Sequence, residues 1–381
     1  MNKSDTISIL YATAITLSLI YAPQPLTPLL ANYFNIKPDN AAFIISLTLL
    51  PMAIAPAIYG YFLEKISPKK ILIFSMFMCG ILQFISTLSN DFYVFLTLRL
   101  LQSLFFPAIL TTLLTILTRL STADIQKNSS LYVSATIIGG LIGRIVGSYL
   151  TGISSWQTSF NIFAILMVLG GFWLFGIEDI KKTSTSKITF KSVFPFLKDR
   201  RYIWLLSSVF IMFFSFQTIL SFLPFFLVDS NPLITESQIG FIYIGYLAGI
   251  VVSLFATKTT RIMHSKPNAI SLGLVVFGIG VLIVLSEDFY IILLGMFILC
   301  AGSFTAHSIL TALMNSISEG KKGITNGLYL TFYYTGGVLG SFIPSFFYHY
   351  FGWWFVCLFT SIILFLNAFL FLRYKYIYLK A

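Results

Sequence analysis

Charge is what this chain has least of. Asp, Glu, Lys and Arg make up 10% of its 381 residues, against roughly 25% in an ordinary soluble domain. That shortage excludes a soluble globular protein, which would need far more polar surface. Cysteine is scarcer still: Cys79, Cys300 and Cys357 stand alone inside apolar segments, so neither a disulfide framework nor a metal cluster is expected, and all three read as small packing residues. No Gly-rich, lysine-containing phosphate loop occurs, which argues against ATP hydrolysis as an energy source. Nor is there a His and carboxylate constellation or a serine dyad of the kind an enzyme needs. The 13 Asp and Glu residues all fall near the ends of apolar runs, none well inside one.

What the chain does have is apolar length. Hydrophobic residues make up 57% of it, in segments long enough to cross about 30 Å of hydrocarbon as helices. Irregular backbone facing lipid would leave its amides unsatisfied, so an all-α membrane protein is expected. Twelve spans are placed at 7–30, 41–62, 71–89, 92–117, 129–152, 157–177, 202–228, 239–257, 268–286, 289–314, 324–349 and 353–373. The first has no small-residue cleavage site and is expected to be retained. An even number puts both termini on one side. If that side is cytoplasmic, 21 of the 24 Lys and Arg residues lie inside, Lys37 lies outside, and Arg99 and Arg144 lie within spans. So lopsided a division fits the positive-inside rule, and it makes the net charge of +11 a topological signal rather than a sign of nucleic-acid binding.

The chain also repeats itself. SNDFYV begins at Ser89 and SEDFYI at Ser286, an offset of 197, and the same offset carries Tyr132 onto Tyr329, Gly139, Gly140 and Gly143 onto Gly336, Gly337 and Gly340, and Trp156 onto Trp353. A polar, lysine-rich stretch lies between the copies. The reading is two pseudo-symmetric six-helix bundles, 1–177 and 202–381, joined by a cytoplasmic linker at 178–201. Two such bundles can rock to expose a midplane site to one side and then the other, which points to a secondary transporter. The four-residue spacing of Gly139, Gly143 and Gly147 stacks them on one helical face where a neighbouring helix can approach closely.

These features resemble the major facilitator superfamily over essentially the whole chain. GYFLEKISPKK from Gly60 is similar to its loop signature, RLLQS from Arg99 to its RxxQG signature, and the fifth span to its antiporter signature GxxxGPxxGG, with Arg144 in place of the proline and Ser148 in place of the last glycine. Together with YAPQPLTP from Tyr21 and LYLTFYYTGG from Leu328, they resemble the bacterial YnfM-like, or arabinose-efflux-like, permeases of the inner membrane. The resemblance implies a multi-pass transporter of a small-molecule substrate in the bacterial inner membrane, monomeric in the bilayer, with no cofactor and a proton gradient as the energy source. It implies that Glu64 and Lys65 latch the two halves and that Arg99 takes part in proton coupling. The alternative for the loop is that its lysines only fix topology.

A charge inside a span costs about 2.5–3.5 kcal/mol even on a lenient scale, so Arg99 and Arg144 need an explanation. Both lie roughly 10–12 Å below the expected outer surface, with Gln24 and Gln217 in the same outer half and Tyr21 one turn from Gln24. Gln102, and Tyr333 on the eleventh span, complete the candidate site. Two cations without a buried carboxylate suit an anionic or zwitterionic substrate. Alternatively, each arginine caps carbonyls freed by Pro23, Pro25, Pro28 or Pro107. His307 could titrate near neutrality, but its distance from Phe289, about 27 Å along a helix, places it near the cytoplasmic end as an interfacial or packing residue. The aromatics Tyr329, Tyr333 and Tyr334 suit either substrate stacking or helix packing. Trp156, Trp204, Trp353 and Trp354 are expected as interfacial anchors, and the proline triplet is expected to kink or break the first span. The reading is proton-coupled export of a small organic solute by alternating access, with uptake or facilitated permeation of an organic anion, or multidrug efflux, as the alternatives.

Overall fold

The computed structural model describes residues 3–65, 67–120, 125–177, 190–318 and 322–379, without the side chains of 3–4, 55–65, 118–120, 125–130, 190–193, 322–323 and 379. The described residues form helices and short connections. Helices α1 (Lys3–Tyr21) and α2 (Thr27–Tyr33) share the expected first span. They are followed by α3 (Pro38–Lys65) and α4 (Pro68–Ser86), then α5 (Phe92–Ser103) and α6 (Phe106–Leu120), which divide the fourth span, and α7 (Ile125–Ile153) and α8 (Trp156–Trp173). Beyond the linker come α9 (Phe190–Lys198) and α10 (Arg200–Ser230), then the short α11 (Glu236–Ile242), α12 (Tyr246–Leu254) and α13 (Ala256–Ile262). The chain closes with α14 (Lys266–Ile283), α15 (Phe289–Ile317), α16 (Lys322–Phe342), α17 (Pro344–Arg373) and α18 (Tyr376–Leu379).

Among the described residues, nine stretches are long and apolar enough to cross a bilayer. The expected first, second and eleventh spans are not among them. The first is broken, because Pro23 lacks the N–H that would bond the Leu19 carbonyl and residues 22–26 leave the helix before α2 restarts with Pro28 in its first turn. The second is one helix over Pro38–Lys65, and the part of it whose side chains are described, Pro38–Ile54, is apolar but shorter than a full span. The eleventh, α16, is diluted by Asn326, Thr331, Thr335 and its glycines. It ends at Phe342, ahead of Pro344, and the chain then turns inside α17 at Gly352, whose φ of 75° favours glycine.

By packing, the chain forms one unit of Met1–Lys187 with Ile234–Phe241 and a second of Ile188–Leu233 with Ile242–Ala381. In the first unit, α1 and α7 meet backbone to backbone: a Cβ added to Gly139 would lie 2.2 Å from the Ala14 carbonyl oxygen, and one added to Gly143 would lie 2.4 Å from that of Ser18. Ser18 Oγ donates to the Gly139 carbonyl across this contact at 2.9 Å. Gly147 is less crowded, with its nearest neighbour, Ala22 Cβ, at 3.3 Å. The second unit repeats the device with Gly336 against Phe210, Gly340 against Phe214, and Thr218 Oγ1 donating to the Gly340 carbonyl. The repeated hexapeptides also have a structural cause. Asp91 accepts from the Val94 amide and Asp288 from the Tyr290 and Ile291 amides, so each caps a helix N-terminus.

Trp156 and Trp353 are not surface anchors. Trp156 is 3% exposed, packed among Tyr33, Phe34, Phe95 and Phe160, and Trp353 donates its Nε1–H to the Val284 carbonyl at 2.9 Å. Clusters of aromatic rings inside each unit outcompete the interface for these two indoles. Trp354 is exposed, and Trp204 stacks on Tyr374 with centroids 4.7 Å apart.

Gly143→Val should lower thermal stability by about 1–3 kcal/mol through overpacking. Gly176→Ala, with nothing within 4 Å of the added carbon, should leave it unchanged. Scanning fluorimetry of the detergent-solubilised protein reads both.

Candidate functional site

The break in the first span gathers the polar side chains of the first unit. Arg99, on α5, is 1% exposed. Its Nη1 donates to Gln102 Oε1 at 2.7 Å and Gln83 Oε1 at 3.1 Å, its Nη2 donates to Thr48 Oγ1 at 3.2 Å, and both reach the Leu19 carbonyl at 3.5 and 3.4 Å. That carbonyl is the one whose helical partner Pro23 removes. Gln102 completes the cluster by donating to Gln83 Oε1 and the Cys79 carbonyl, both at 2.9 Å. Among the described residues Arg99 Nε has no partner. Every group it does meet is neutral, so the buried positive charge is solvated by dipoles alone.

Arg144 approaches the same break from α7 and is also 1% exposed. Its Nε and Nη2 both donate to Gln24 Oε1, at 2.9 and 2.7 Å, its Nη1 donates to the Gly140 carbonyl at 2.9 Å, and its guanidinium lies 4.1 Å from the Tyr21 ring centroid. Gln24 belongs to the unwound stretch and Tyr21 ends α1, so Arg144 grips the break from the side while Arg99 holds its carbonyl. The carbonyl-capping alternative therefore applies in part to Arg99, whereas most contacts of Arg144 are to side chains.

The remaining candidates divide between the units. Tyr21, Gln24, Arg99, Gln102 and Arg144 come together in the first. Gln217 and Tyr333 belong to the second, where Gln217 is fully buried beside Gly337 and the Tyr333 ring stacks on Phe213 with centroids 3.6 Å apart. The side chains of Glu64 and Lys65 lie outside the described residues, so the expected latch is not described. From the same signature, Lys69 donates to the Phe175 and Ile177 carbonyls at 2.8 and 2.5 Å, a cation closing the end of α8 and its final turn. The pattern missed Gln83 and Thr48, which complete the Arg99 cage from α4 and α3. A lone glutamine or threonine in an apolar helix carries no distinctive spacing.

Buried guanidinia braced by amides around a broken helix, in a polytopic helical bundle built from two related halves, define a membrane transporter. The Major Facilitator Superfamily profile matches residues 9–233 and 231–378, so the chain belongs to that family. It is similar to an uncharacterized transporter of Buchnera aphidicola subsp. Schizaphis graminum, 26% identical over 368 residues that cover 94% of this chain and 88% of that protein. It is also similar to the inner membrane transport protein YnfM of Escherichia coli K12, 26% identical over 356 residues that cover 91% and 85%. The resemblance to YnfM-like permeases is thus borne out. Among solved structures, the nucleoside transporter NupG superposes with a TM-score of 0.80 at 16% identity, over 98% of this chain and 99% of that one, which bears out the fold. The protein is a multi-pass membrane transporter, not an enzyme, and it works on a small-molecule substrate in a lipid bilayer.

The Arg99 cage generates a stability prediction. Gln102→Leu removes the closest acceptor of Arg99 and the donor to both Gln83 and the Cys79 carbonyl, so it should cost about 1–3 kcal/mol. Arg99→Lys should also destabilise, since an ammonium has too few donors in fixed directions to serve the same acceptors. Thermal unfolding of the two purified variants beside the unaltered protein checks both.

Proposed function

We propose that the protein is a proton-linked secondary transporter that exports a small organic solute carrying a carboxylate or phosphate, by alternating access. One observation carries this reading: Arg144 is buried and directs two donors onto the amide oxygen of Gln24, with its face on Tyr21. A carboxylate presents the same acceptor geometry with a full negative charge, so a solute anion displaces the amide with a gain in pairing energy. Such displacement frees Gln24, which sits in the broken part of the first span. Binding is thereby coupled to the shape of that segment, as alternating access requires.

Arg99 acts differently in this scheme. Its acceptors come from α1, α3, α4 and α5, so it fixes the frame in which Arg144 and Gln24 meet, and it adds positive potential to the same region. A cationic drug would enter a site of like charge, whose described partners are neutral, and this favours anion or zwitterion export over broad cation efflux.

Flux in proteoliposomes, with and without a pH gradient, tests the assignment against a panel of anionic metabolites and drugs first screened for binding by thermal shift. Arg144→Ala should weaken apparent affinity about 10- to 100-fold, the loss of one or two charge-assisted hydrogen bonds. Arg99→Ala should reduce transport together with thermal stability. Unchanged transport of every solute by both variants would refute the site.

A further inference from the structure

The two halves share a backbone frame, and comparing them isolates what each has added. In the first unit, Tyr132 on α7 donates its hydroxyl to the Leu110 carbonyl on α6 at 2.9 Å. The offset of 197 carries these residues to Tyr329 and His307, and in the second unit the Tyr329 hydroxyl lies 3.4 Å from the His307 carbonyl. The tyrosine-to-carbonyl contact is therefore common architecture, and the imidazole is the addition. Arg144 stands in the same relation to Ser341: each donates to the carbonyl four residues back, Gly140 and Gly337. One half has gained a guanidinium and the other an imidazole.

Around His307 the hydrogen bonds form a closed set. Nδ1 lies 3.0 Å from the Tyr329 hydroxyl, the Thr311 hydroxyl lies 3.0 Å from the same oxygen, and Thr311 also reaches the His307 carbonyl at 2.9 Å. With the imidazole neutral, Tyr329 donates to Nδ1 and Thr311 donates to Tyr329. With it protonated, Nδ1–H donates to Tyr329, Tyr329 donates to Thr311, and Thr311 donates to the His307 carbonyl. A proton can arrive or leave by reversing the donors, and no group in the set is orphaned in either state. The Tyr333 ring, with its centroid 5.0 Å from that of the imidazole, presents aromatic surface that suits the cationic form.

The neighbouring elements bring no competing charge. Tyr329 and Tyr333 are the titratable groups that α16 places here. Ser308 pairs with Ser253 of α12 at 3.1 Å, and Tyr243, between α11 and α12, donates to the Leu220 carbonyl of α10. Arg200, Arg201 and Asp229 of α10, Lys258 and Arg261 of α13, and Lys266 of α14 lie at or near helix ends. None of these forms a salt bridge with His307 among the described residues; the ion pair there is Arg201 with Asp199. Helix α15 runs to Ile317 rather than to the expected 314, so His307 stops ten residues, about 15 Å, short of its end.

The geometry points to His307, with Tyr329 and Thr311, as the proton-binding site of the transport cycle, separate from the anion site on the first unit. The proton comes from water on one face to the imidazole and is returned to water on the other, with no bond made except to Nδ1. This rests on the reading that transport is proton-linked, and two measurements keep the claims apart. Solid-state NMR of histidine-labelled protein in liposomes, with His307→Gln to assign the signal, should show His307 changing protonation state between pH 4 and 9. Tyr329→Phe, which leaves the imidazole in place, should move that midpoint by roughly one pH unit. Absence of titration between pH 4 and 9, or indifference to Tyr329→Phe, overturns the site. In proteoliposomes holding a pH dye, addition of succinate, glutamate or a sugar phosphate should change internal pH with the unaltered protein and not with His307→Gln. A pH change that survives His307→Gln overturns the site and leaves proton-linked transport standing. If the unaltered protein gives no pH change with any solute, the proton-linked reading falls and the site falls with it.

Discussion

A single missing hydrogen bond organises the first half of this transporter. Pro23 cannot donate to the Leu19 carbonyl, and a bare carbonyl inside an apolar bundle is costly. Arg99 supplies the donors from 3.4 to 3.5 Å away, and doing so requires a guanidinium deep in the protein. The guanidinium in turn requires acceptors, which accounts for the otherwise isolated polar residues Gln83, Gln102 and Thr48. The broken segment then exposes Gln24 to Arg144. One proline, two arginines and three amides are thus a single assembly, and the partners described for it are neutral.

The duplication explains why that assembly occurs once. Glycine contacts between α1 and α7 recur between α10 and α16, the aspartate caps recur, and the tyrosine-to-carbonyl contact recurs. All of these hold helices together and are indifferent to cargo. The departures from symmetry are few and chemically rich: Arg144 where the other copy has Ser341, and His307 where the other copy has Leu110. In the proposed scheme these two differences divide the labour between the halves, with anion recognition on one and proton handling on the other.

Much of the architecture was legible in the sequence because it rests on composition and spacing. Lipid admits only helices or closed barrels, and glycines four apart announce a close helix contact. The break after Tyr21 was visible in its prolines. Helix boundaries set by tertiary packing were not visible. Helix α15 runs three residues past its expected end, and aromatic clusters buried Trp156 and Trp353 although their positions suited an interface. Gln83 and Thr48 escaped notice because a polar residue on an apolar helix becomes informative only once its neighbours across the bundle are known. The different tasks of the two arginines likewise needed atoms, since depth alone makes them equivalent.

The central claim is that Arg144 is held in readiness for an anion by a neutral stand-in, Gln24. Gln24→Glu tests it most directly, because the new carboxylate would occupy the guanidinium permanently. Measured as carboxylate flux in proteoliposomes, with melting temperature as the check on folding, the account predicts a protein at least as stable as the unaltered one that no longer transports anions. Undiminished anion flux through the Gln24→Glu protein would contradict it.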